Sequence, residues 1–294
     1  MSAKQFFLLL FISSLWGGSF IFMKILSPIF GPILTSSFRL IAASLFLFVL
    51  YYFQKYKVHW KRDWKLFIII GLGNSAVPFV LYAYAALYIP ASLSVILNST
   101  SPMFGAIFGF LLLGDRLSYN KYIGLVLGSL GVGIVSSLTL ANGTLELYLS
   151  IAGCVGAALL YGLTGAYVKK YALHIEPKQL TLGTLTFAGL MLLPLGIIFP
   201  VTTSFGMSEI GLLIIFGVMC TSVPYIIYYK LLQEIGPIKA LTVTYLMPVF
   251  GVLWSFLYLE EPIELNMIIG LLVILIGIYI LSLRLNKENI EKTQ

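Results

Sequence analysis

The stretch that decides the fold is residues 77–115, VPFVLYAYAALYIPASLSVILNSTSPMFGAIFGFLLLGD, because its pattern returns 146 residues later as 223–261, VPYIIYYKLLQEIGPIKALTVTYLMPVFGVLWSFLYLEE. Both copies open on Val-Pro, run through long apolar segments, keep a further proline near the middle and close on an acidic residue. A hydrophobic block that occurs twice, with prolines inside its apolar segments, is typical of secondary transporters built from internal repeats. The sequence therefore predicts a duplicated membrane protein.

The composition indicates which solvent surrounds the chain. Sixty per cent of the 294 residues are hydrophobic, ten per cent are charged, and the mean hydropathy is +1.00. Water-soluble domains have an apolar share of about 45–50%, so these values exclude a soluble globular protein and indicate a lipid environment. The net charge of +7 would suggest nucleic acid as a partner in a soluble chain. Here the positive charge is explained by membrane orientation, and no nucleic acid is expected.

Ten apolar runs are long enough to cross a membrane as helices, for which about 17–25 residues are needed. They lie near 5–25, 32–53, 66–86, 92–113, 122–140, 148–168, 179–200, 209–229, 238–259 and 265–283. Each run is continuously apolar, which favours helices over a β-barrel. We expect an all-α polytopic membrane protein with ten transmembrane helices as two five-helix repeats, 5–140 and 148–283, followed by a tail at 284–294.

The distribution of basic residues predicts the orientation. Sixteen of the eighteen Lys and Arg residues fall near the termini or in alternate loops, whereas the intervening loops 141–147, 201–208 and 260–264 contain none. Because cytoplasmic loops retain Lys and Arg, both termini are predicted to be cytoplasmic, with the tail on that side. Five helices per repeat is an odd number, so the two repeats would be inverted. Inverted repeats allow a central cavity to open to one face and then the other, which is alternating access.

Short motifs in the two halves, most of them with a counterpart in the other half, carry a family resemblance. They are Trp16-Gly17, Phe38-Arg39-Leu40, Pro102 to Asp115, Tyr161-Gly162 and Pro248 to Glu261-Pro262. Over about residues 5–283 the chain resembles the drug/metabolite transporter superfamily and, within it, the EamA family. The resemblance implies a bacterial inner-membrane carrier with a layout shared by exporters of amino acids and other metabolites. One departure is Asp115, which stands where the family more usually has a Glu, as at Glu261.

Arg39 is the one full charge well inside a predicted span, roughly 10 Å from its outer end at 1.5 Å per residue. All eleven acidic residues fall in loops, at span ends or in the tail. The guanidinium is therefore expected to bond to helix-end carbonyls, hydroxyls or the carboxylate of a substrate. The alternative is that its side chain reaches toward the outer interface or links the first two spans.

Polar and aromatic residues inside repeat-matched spans are the other candidates for substrate binding. They are Trp16, Tyr82, Asn98, Tyr161, Tyr228, Thr244 and Tyr245, with Trp254 as a further cavity candidate. Asn98 and Thr244 precede a proline by four residues, where the proline leaves a backbone carbonyl without its helical hydrogen bond. Those carbonyls would bind water, a side chain or a substrate amine, or the polar residues would only satisfy the kinks. The aromatic rings would hold a small amphipathic solute, or simply pack the core.

Four prolines are predicted to mark where helices bend. Pro78 and Pro224 occupy matching spans, as do Pro102 and Pro248. Since proline removes a hydrogen bond from a helix, these spans are expected to form the gates of the cavity.

Enzyme chemistry finds little support. His59 and His174 lie in separate loops and Cys154 and Cys220 in separate spans, so no metal, cofactor or disulfide is expected. The chain is predicted to be a carrier, not an enzyme, that exports amino acids or related small metabolites, acting as a monomer or homodimer with membrane lipid around it. The alternatives are an uptake or exchange carrier for nucleotide-like or sulfonium metabolites, a lipid-intermediate flippase, or a membrane sensor that transports nothing.

Overall fold

The computed structural model describes residues 2–141, 143–199, 201, 203–240 and 243–283, so the predicted tail at 284–294 lies outside the described residues. Over the described ranges the regular structure is entirely helical, with two π-helical turns, Leu72–Ala76 and Val218–Ser222. The α-helices are α1 (Ala3–Phe53), α2 (Trp60–Gly71), α3 (Val77–Tyr88), α4 (Ala91–Asn98), α5 (Ser101–Leu113), α6 (Tyr119–Ala141), α7 (Leu145–Tyr171), α8 (Pro177–Leu192), α9 (Leu195–Ile198), α10 (Met207–Gly217), α11 (Val223–Ala240), α12 (Val243–Leu259) and α13 (Leu265–Ser282).

Six helical segments of the described chain are long and apolar enough to cross a membrane. They are Ala3–Phe53, Trp60–Tyr88, Ala91–Leu113, Leu145–Tyr171, Met207–Leu231 and Leu265–Ser282. Val243–Leu259 is a shorter apolar helix. The prediction of an all-helical, multi-pass membrane protein is confirmed.

Two helices contain a sharp break at a glycine. A straight helix of the 51 residues of α1 would be about 77 Å long, more than twice the roughly 30 Å hydrocarbon core. Gly31, with φ 73° and ψ 160°, breaks α1, and Gly236, with φ 78° and ψ 166°, breaks α11. Glycine adopts positive φ at little cost. The first break falls at the junction of the predicted spans 5–25 and 32–53, and the second at the junction of 209–229 and 238–259.

The π-helical turns occupy equivalent places in the two halves. Leu72–Ala76 joins α2 to α3, and Val218–Ser222 joins α10 to α11, 146 residues later. Pro78 and Pro224 follow directly as the second residues of α3 and α11. Because proline has no N–H, each leaves a carbonyl of the preceding π-helical turn without its usual helical donor. The prolines predicted to mark bends in these two spans thus directly follow π-helical turns.

The ends of α5 and α12 also match. Gly114 (φ 72°) and Glu260 (φ 54°) are both left-handed. The next residue then donates its N–H to the carbonyl six residues back: Asp115 to Gly109 at 3.1 Å and Glu261 to Ser255 at 3.3 Å. The sequence repeat is therefore accompanied by repeated backbone geometry.

Glycines let pairs of helices approach closely. A Cβ added at Gly17 of α1 would lie 2.7 Å from the backbone nitrogen of Gly251 in α12, and one at Gly162 of α7 would lie 2.5 Å from that of Gly105 in α5. A Cβ at Gly124 of α6 would similarly meet the carbonyl of Gly277 in α13. These contacts pair α1 with α12, α5 with α7, and α6 with α13.

Polar contacts link the region after α1, including the first turn of α2, to the start of α8 and the residue before it. The Tyr56 hydroxyl donates to Glu176 Oε2 at 2.7 Å, and burial together with this bond raises the pKa of the Tyr56 phenol. Gln179 donates to the carboxylate of Asp63, which is only 3 % exposed. The two halves of the chain are therefore joined at the face predicted to be cytoplasmic.

Candidate functional site

A cavity of about 370 Å³ lies between α1, α3, α4, α5, α7, α11 and α12. Its size is within the range of small-molecule pockets, about 300–1,000 Å³. Seven of the predicted binding residues line it: Trp16, Arg39, Tyr82, Asn98, Tyr161, Tyr228 and Thr244. Both halves of the chain thus contribute to one central site.

Arg39 is held by groups from the second half of the chain. Its Nε donates to Thr221 Oγ1 at 2.9 Å, and an Nη donates to the carbonyl oxygen of Cys220 at 3.2 Å. The rings of Phe79 and Phe216 lie 3.9 Å and 4.3 Å from the guanidinium carbon, so the cation is sandwiched between aromatic faces. Arg39 is 3 % exposed; it neither reaches toward the interface nor links the first two spans.

The π-helical turn Val218–Ser222 explains this geometry. A π-turn disturbs the regular hydrogen bonding of a helix and is frequent at functional sites. It presents the Cys220 carbonyl and the Thr221 hydroxyl to Arg39. Ser222 donates to the carbonyl of Ala43 at 2.9 Å, one helical turn beyond Arg39, and so fastens the π-turn to α1.

The guanidinium retains donors for a ligand. An arginine has five N–H donors, and the two bonds above are those it makes to described residues. No acidic side chain is found among the described residues that line the cavity. The site therefore presents one fixed positive charge to whatever enters it.

Tyr82 and Asn98 form a second polar contact in the cavity. The fully buried Tyr82 hydroxyl donates to Asn98 Oδ1 at 2.8 Å and approaches the carbonyl of Cys154 at 3.3 Å. Its ring meets Phe20 edge-on at 5.2 Å and stacks on Tyr161 at 6.2 Å. Asn98 also approaches the sulfur of Met247 at 3.8 Å. This contact joins α3, α4 and α12 at one end of the cavity.

Aromatic rings form one wall. The Trp16 ring lies 5.8 Å from that of Tyr225 and 5.5 Å from that of Tyr228. Asn74 donates to the Tyr225 hydroxyl at 3.4 Å. The wall offers flat apolar faces with a few polar atoms, which suits a small amphipathic solute.

The helix break between α4 and α5 differs from the predicted kink. The hydroxyls of Ser99, Thr100 and Ser101 turn back to the carbonyls three residues earlier, at 2.6, 2.7 and 2.6 Å. The Asn98 carbonyl therefore accepts one hydrogen bond from Ser101, so a side chain takes one of its two acceptor positions. Pro102 begins α5, so it starts a new helix and does not bend a continuous one, whereas Pro248 does lie inside α12.

A second, larger space of about 910 Å³ adjoins the cavity and shares Ser101, Pro102, Tyr161 and Thr244 with it. Asp115 and Lys169, which lie 3.8 Å apart, stand in its lining. We call this space the vestibule. It leads from the cavity toward the face that is predicted to be cytoplasmic.

Two predicted cavity residues lie elsewhere. Tyr245 lines the vestibule and donates to the carbonyl of Ile278 at 3.3 Å. Thr244 lines both spaces, whereas the Tyr245 side chain, about 100° further around α12, lines the vestibule and is not part of the cavity lining. Trp254 donates to Ser14 at 3.1 Å and packs between α12 and α1.

Several lining residues were missed by the sequence predictions. They include Asn74, Phe79, Cys220, Thr221, Tyr225 and Met247. The 146-residue shift offers a signal, because Asn74 matches Cys220, Phe79 matches Tyr225, and both members of each pair line the cavity. A comparison of the polar and aromatic residues at matching positions beside Pro78 and Pro224 would have identified these two pairs from the sequence.

Comparisons with known proteins agree with this architecture. The model of the EamA-like transporter family matches the chain twice, over residues 4–137 and 149–283. The chain is 24% identical over 283 residues to the uncharacterized transporter YvbV of Bacillus subtilis (strain 168), covering 94% of this chain and 90% of that protein. It is 23% identical over 276 residues to Protein PecM of Dickeya dadantii (strain 3937), covering 91% and 88%. A crystal structure with 14% identity superposes with a TM-score of 0.67 over 96% of this chain and 98% of that one, which shows a shared fold.

The apolar helices, together with the central cavity of aromatic and a few polar side chains that they enclose, define an integral, multi-pass membrane transport protein. With the family model matching both halves, the chain belongs to the EamA-like transporter family of the drug/metabolite transporter superfamily.

Proposed function

We propose that this chain carries amino acids or related small carboxylate-bearing metabolites across a bacterial inner membrane by alternating access. The observation that carries the proposal is the guanidinium of Arg39, buried in the central cavity without an acidic partner among the described lining residues. A charge in an apolar interior is costly unless it is paired. A substrate carboxylate is the partner that the remaining N–H donors fit, because arginine binds carboxylates through parallel N–H bonds.

The rest of the cavity supports a small amphipathic solute. Its volume of about 370 Å³ limits the solute to a small molecule. Trp16, Tyr225 and Tyr228 supply apolar faces, and Asn74 and Asn98 add polar groups to the same lining. Such a lining suits a metabolite with an acidic end and an apolar body. Export, in preference to uptake, is the direction that the family resemblance implies.

We further propose ten transmembrane helices in two inverted repeats, 5–140 and 148–283, with both termini cytoplasmic. The breaks at Gly31 and Gly236 support this count, since each divides a long helix where two spans were predicted to meet. Basic residues concentrated on one side support the orientation. Helices interrupted near the middle, as between α4 and α5, are typical of carriers that rearrange around a central site.

Counterflow into proteoliposomes tests the proposed function. Vesicles containing the purified chain are loaded with one unlabelled solute and diluted into the same solute carrying a label, with amino acids, nucleosides and organic cations tested separately. We expect labelled amino acid to accumulate transiently without an imposed proton gradient, and vesicles containing the Arg39→Ala variant to accumulate much less. Accumulation of nucleosides or cations alone would contradict the proposed substrate class, and movement of no solute would favour a flippase or a sensor.

A further inference from the structure

The carboxylate of Glu261, just beyond α12, caps the first turn of α4. Its oxygens accept hydrogen bonds from the Ala91 N–H at 2.7 Å, the Ser92 N–H at 3.0 Å and the Ser92 hydroxyl at 2.7 Å. These partners are about 170 residues away in the sequence. A carboxylate at a helix N-terminus satisfies unpaired N–H groups and the helix dipole together. Glu261 therefore fastens the second half of the chain to the first.

Neighbouring contacts close the same end of the cavity. Lys24 donates to the carbonyl of Ile89 at 3.0 Å, beside the start of α4. One turn deeper, α4 meets α12 so closely that a Cβ added at Gly251 would lie 2.5 Å from the Val95 side chain. Val95 is fully buried. This end, which is predicted to face outward, is shut by direct helix contact under the Glu261 cap.

The matching groups at the other end do not make the equivalent contacts. Asp115 corresponds to Glu261 and shares its backbone geometry, but its side chain is 44 % exposed and its ion pair is a 3.8 Å approach to Lys169. Gly105 corresponds to Gly251, yet a Cβ added there would meet no described atom within 4 Å. Gly105 and Asp115 both line the open vestibule. The contacts of Glu261 and Gly251 at the outer end are therefore formed, whereas the equivalent contacts of Asp115 and Gly105 at the vestibule are not.

We propose that Glu261 and Asp115 are alternating latches of the transport cycle, an inference that rests on the proposed alternating access. The Glu261 cap on α4 holds the outer end shut while the vestibule is open. When that cap is released, Asp115 caps the helical segment that follows Gly236, whose position matches the start of α4. Gly105 of α5 then approaches that same segment, as Gly251 of α12 approaches α4 here.

The sequence makes the two latches unequal. Pro237 stands at the position that matches Ala91, and proline has no N–H. Ile238 replaces Ser92, so the hydroxyl donor is also lost, and Asp115 is shorter than Glu261 by one methylene. The inner latch thus has one matching donor where the outer latch has three. This difference favours the conformation in which the outer end is closed.

Cysteine accessibility without any solute tests the latches separately from the transported substrate. Val95→Cys reports on the outer end and Gly105→Cys on the vestibule, each in a Cys154→Ala/Cys220→Ala background, labelled by a membrane-impermeant maleimide from the corresponding side. Glu261→Gln keeps the size but removes the charge and an acceptor. We expect it to raise outer labelling of the Val95→Cys reporter about tenfold and to lower labelling of the Gly105→Cys reporter.

Two further variants make the result decisive. Glu264→Gln, an exposed acid in the same loop whose side chain makes no cap bond, should leave both reporters unchanged. Adding Asp115→Asn to Glu261→Gln should return labelling toward the starting values, because the inner latch is then weakened as well.

Unchanged outer labelling in both Glu261→Gln and Glu261→Ala would overturn the proposal. A rise at both reporters together would also overturn it, since that is general loosening and not alternation. A failure of amino-acid counterflow would leave these accessibility results standing.

Discussion

The Nε of Arg39 donates a 2.9 Å hydrogen bond to the hydroxyl of Thr221, which lies 182 residues further along the chain. This bond fixes the guanidinium at the boundary between the two halves, inside the cavity. It also fixes which edge of the guanidinium remains for a ligand. Thr221 is therefore a positioning residue for Arg39, and the proposed recognition of a carboxylate depends on it.

Replacing Thr221 with valine tests that role. Thr221→Val keeps the shape of the side chain but removes the acceptor of the Arg39 N–H, which then has no partner in a buried site. We expect the apparent affinity for a carboxylate-bearing solute to fall on the order of tenfold, with a smaller change for its uncharged amide. Counterflow at a series of solute concentrations measures both affinities.

The matched control is Thr221→Ser, which retains the hydroxyl and should stay close to the unmodified protein. An equal loss in the serine and valine variants would mean that packing of the methyl group, and not the hydrogen bond, matters at this position.

Tyr82 provides a test of stability. Tyr82→Phe removes the donor to Asn98 Oδ1 and leaves that acceptor buried, so we expect a loss of about 1 kcal/mol. Tyr161→Phe is the control, since Tyr161 stacks on Tyr82 but its hydroxyl makes no hydrogen bond to a described residue. Thermal unfolding of the detergent-solubilised protein should place Tyr82→Phe below Tyr161→Phe. The reverse order would refute the importance of this bond.

Two glycines three residues apart on α7 test helix packing. A Cβ at Gly162 would press on the backbone of Phe104 and Gly105 at 2.5 Å, whereas a Cβ at Gly165 would meet no described atom within 4 Å. Gly162→Ala should therefore destabilise the protein by about 1–3 kcal/mol. Gly165→Ala should be neutral or stabilising by up to about 1 kcal/mol, because alanine favours helix. Equal unfolding temperatures would show that α5 and α7 are not closely packed.

Much of the fold could be predicted because long apolar runs and matched prolines are local signals. Arg39 was identifiable for a similar reason: a single charge in an apolar span has few explanations. Its partners were not identifiable, since the Thr221 hydroxyl reaches it only through the π-helical turn Val218–Ser222. The apolar pattern of that segment does not distinguish a π-turn from an α-helix.

The single-glycine form of the turns at Gly31 and Gly236 could not be predicted for a different reason. A loop between two spans is usually several residues long, and the sequence near each glycine also contains prolines and polar residues that favour a loop. The chain instead continues as helix on both sides of one left-handed glycine. Tyr245 was misplaced because its assignment rested on the repeat and not on the face of the helix that it occupies.

The most direct test compares counterflow of one amino acid with that of its carboxamide, in the unmodified protein and in Arg39→Ala. The two solutes differ only in the charged group that Arg39 is proposed to bind, and correct folding of the variant is checked by its unfolding temperature. We predict that the unmodified protein prefers the acid and that Arg39→Ala loses this preference while still carrying the amide. An equal loss of both solutes in Arg39→Ala would contradict recognition of a carboxylate by Arg39.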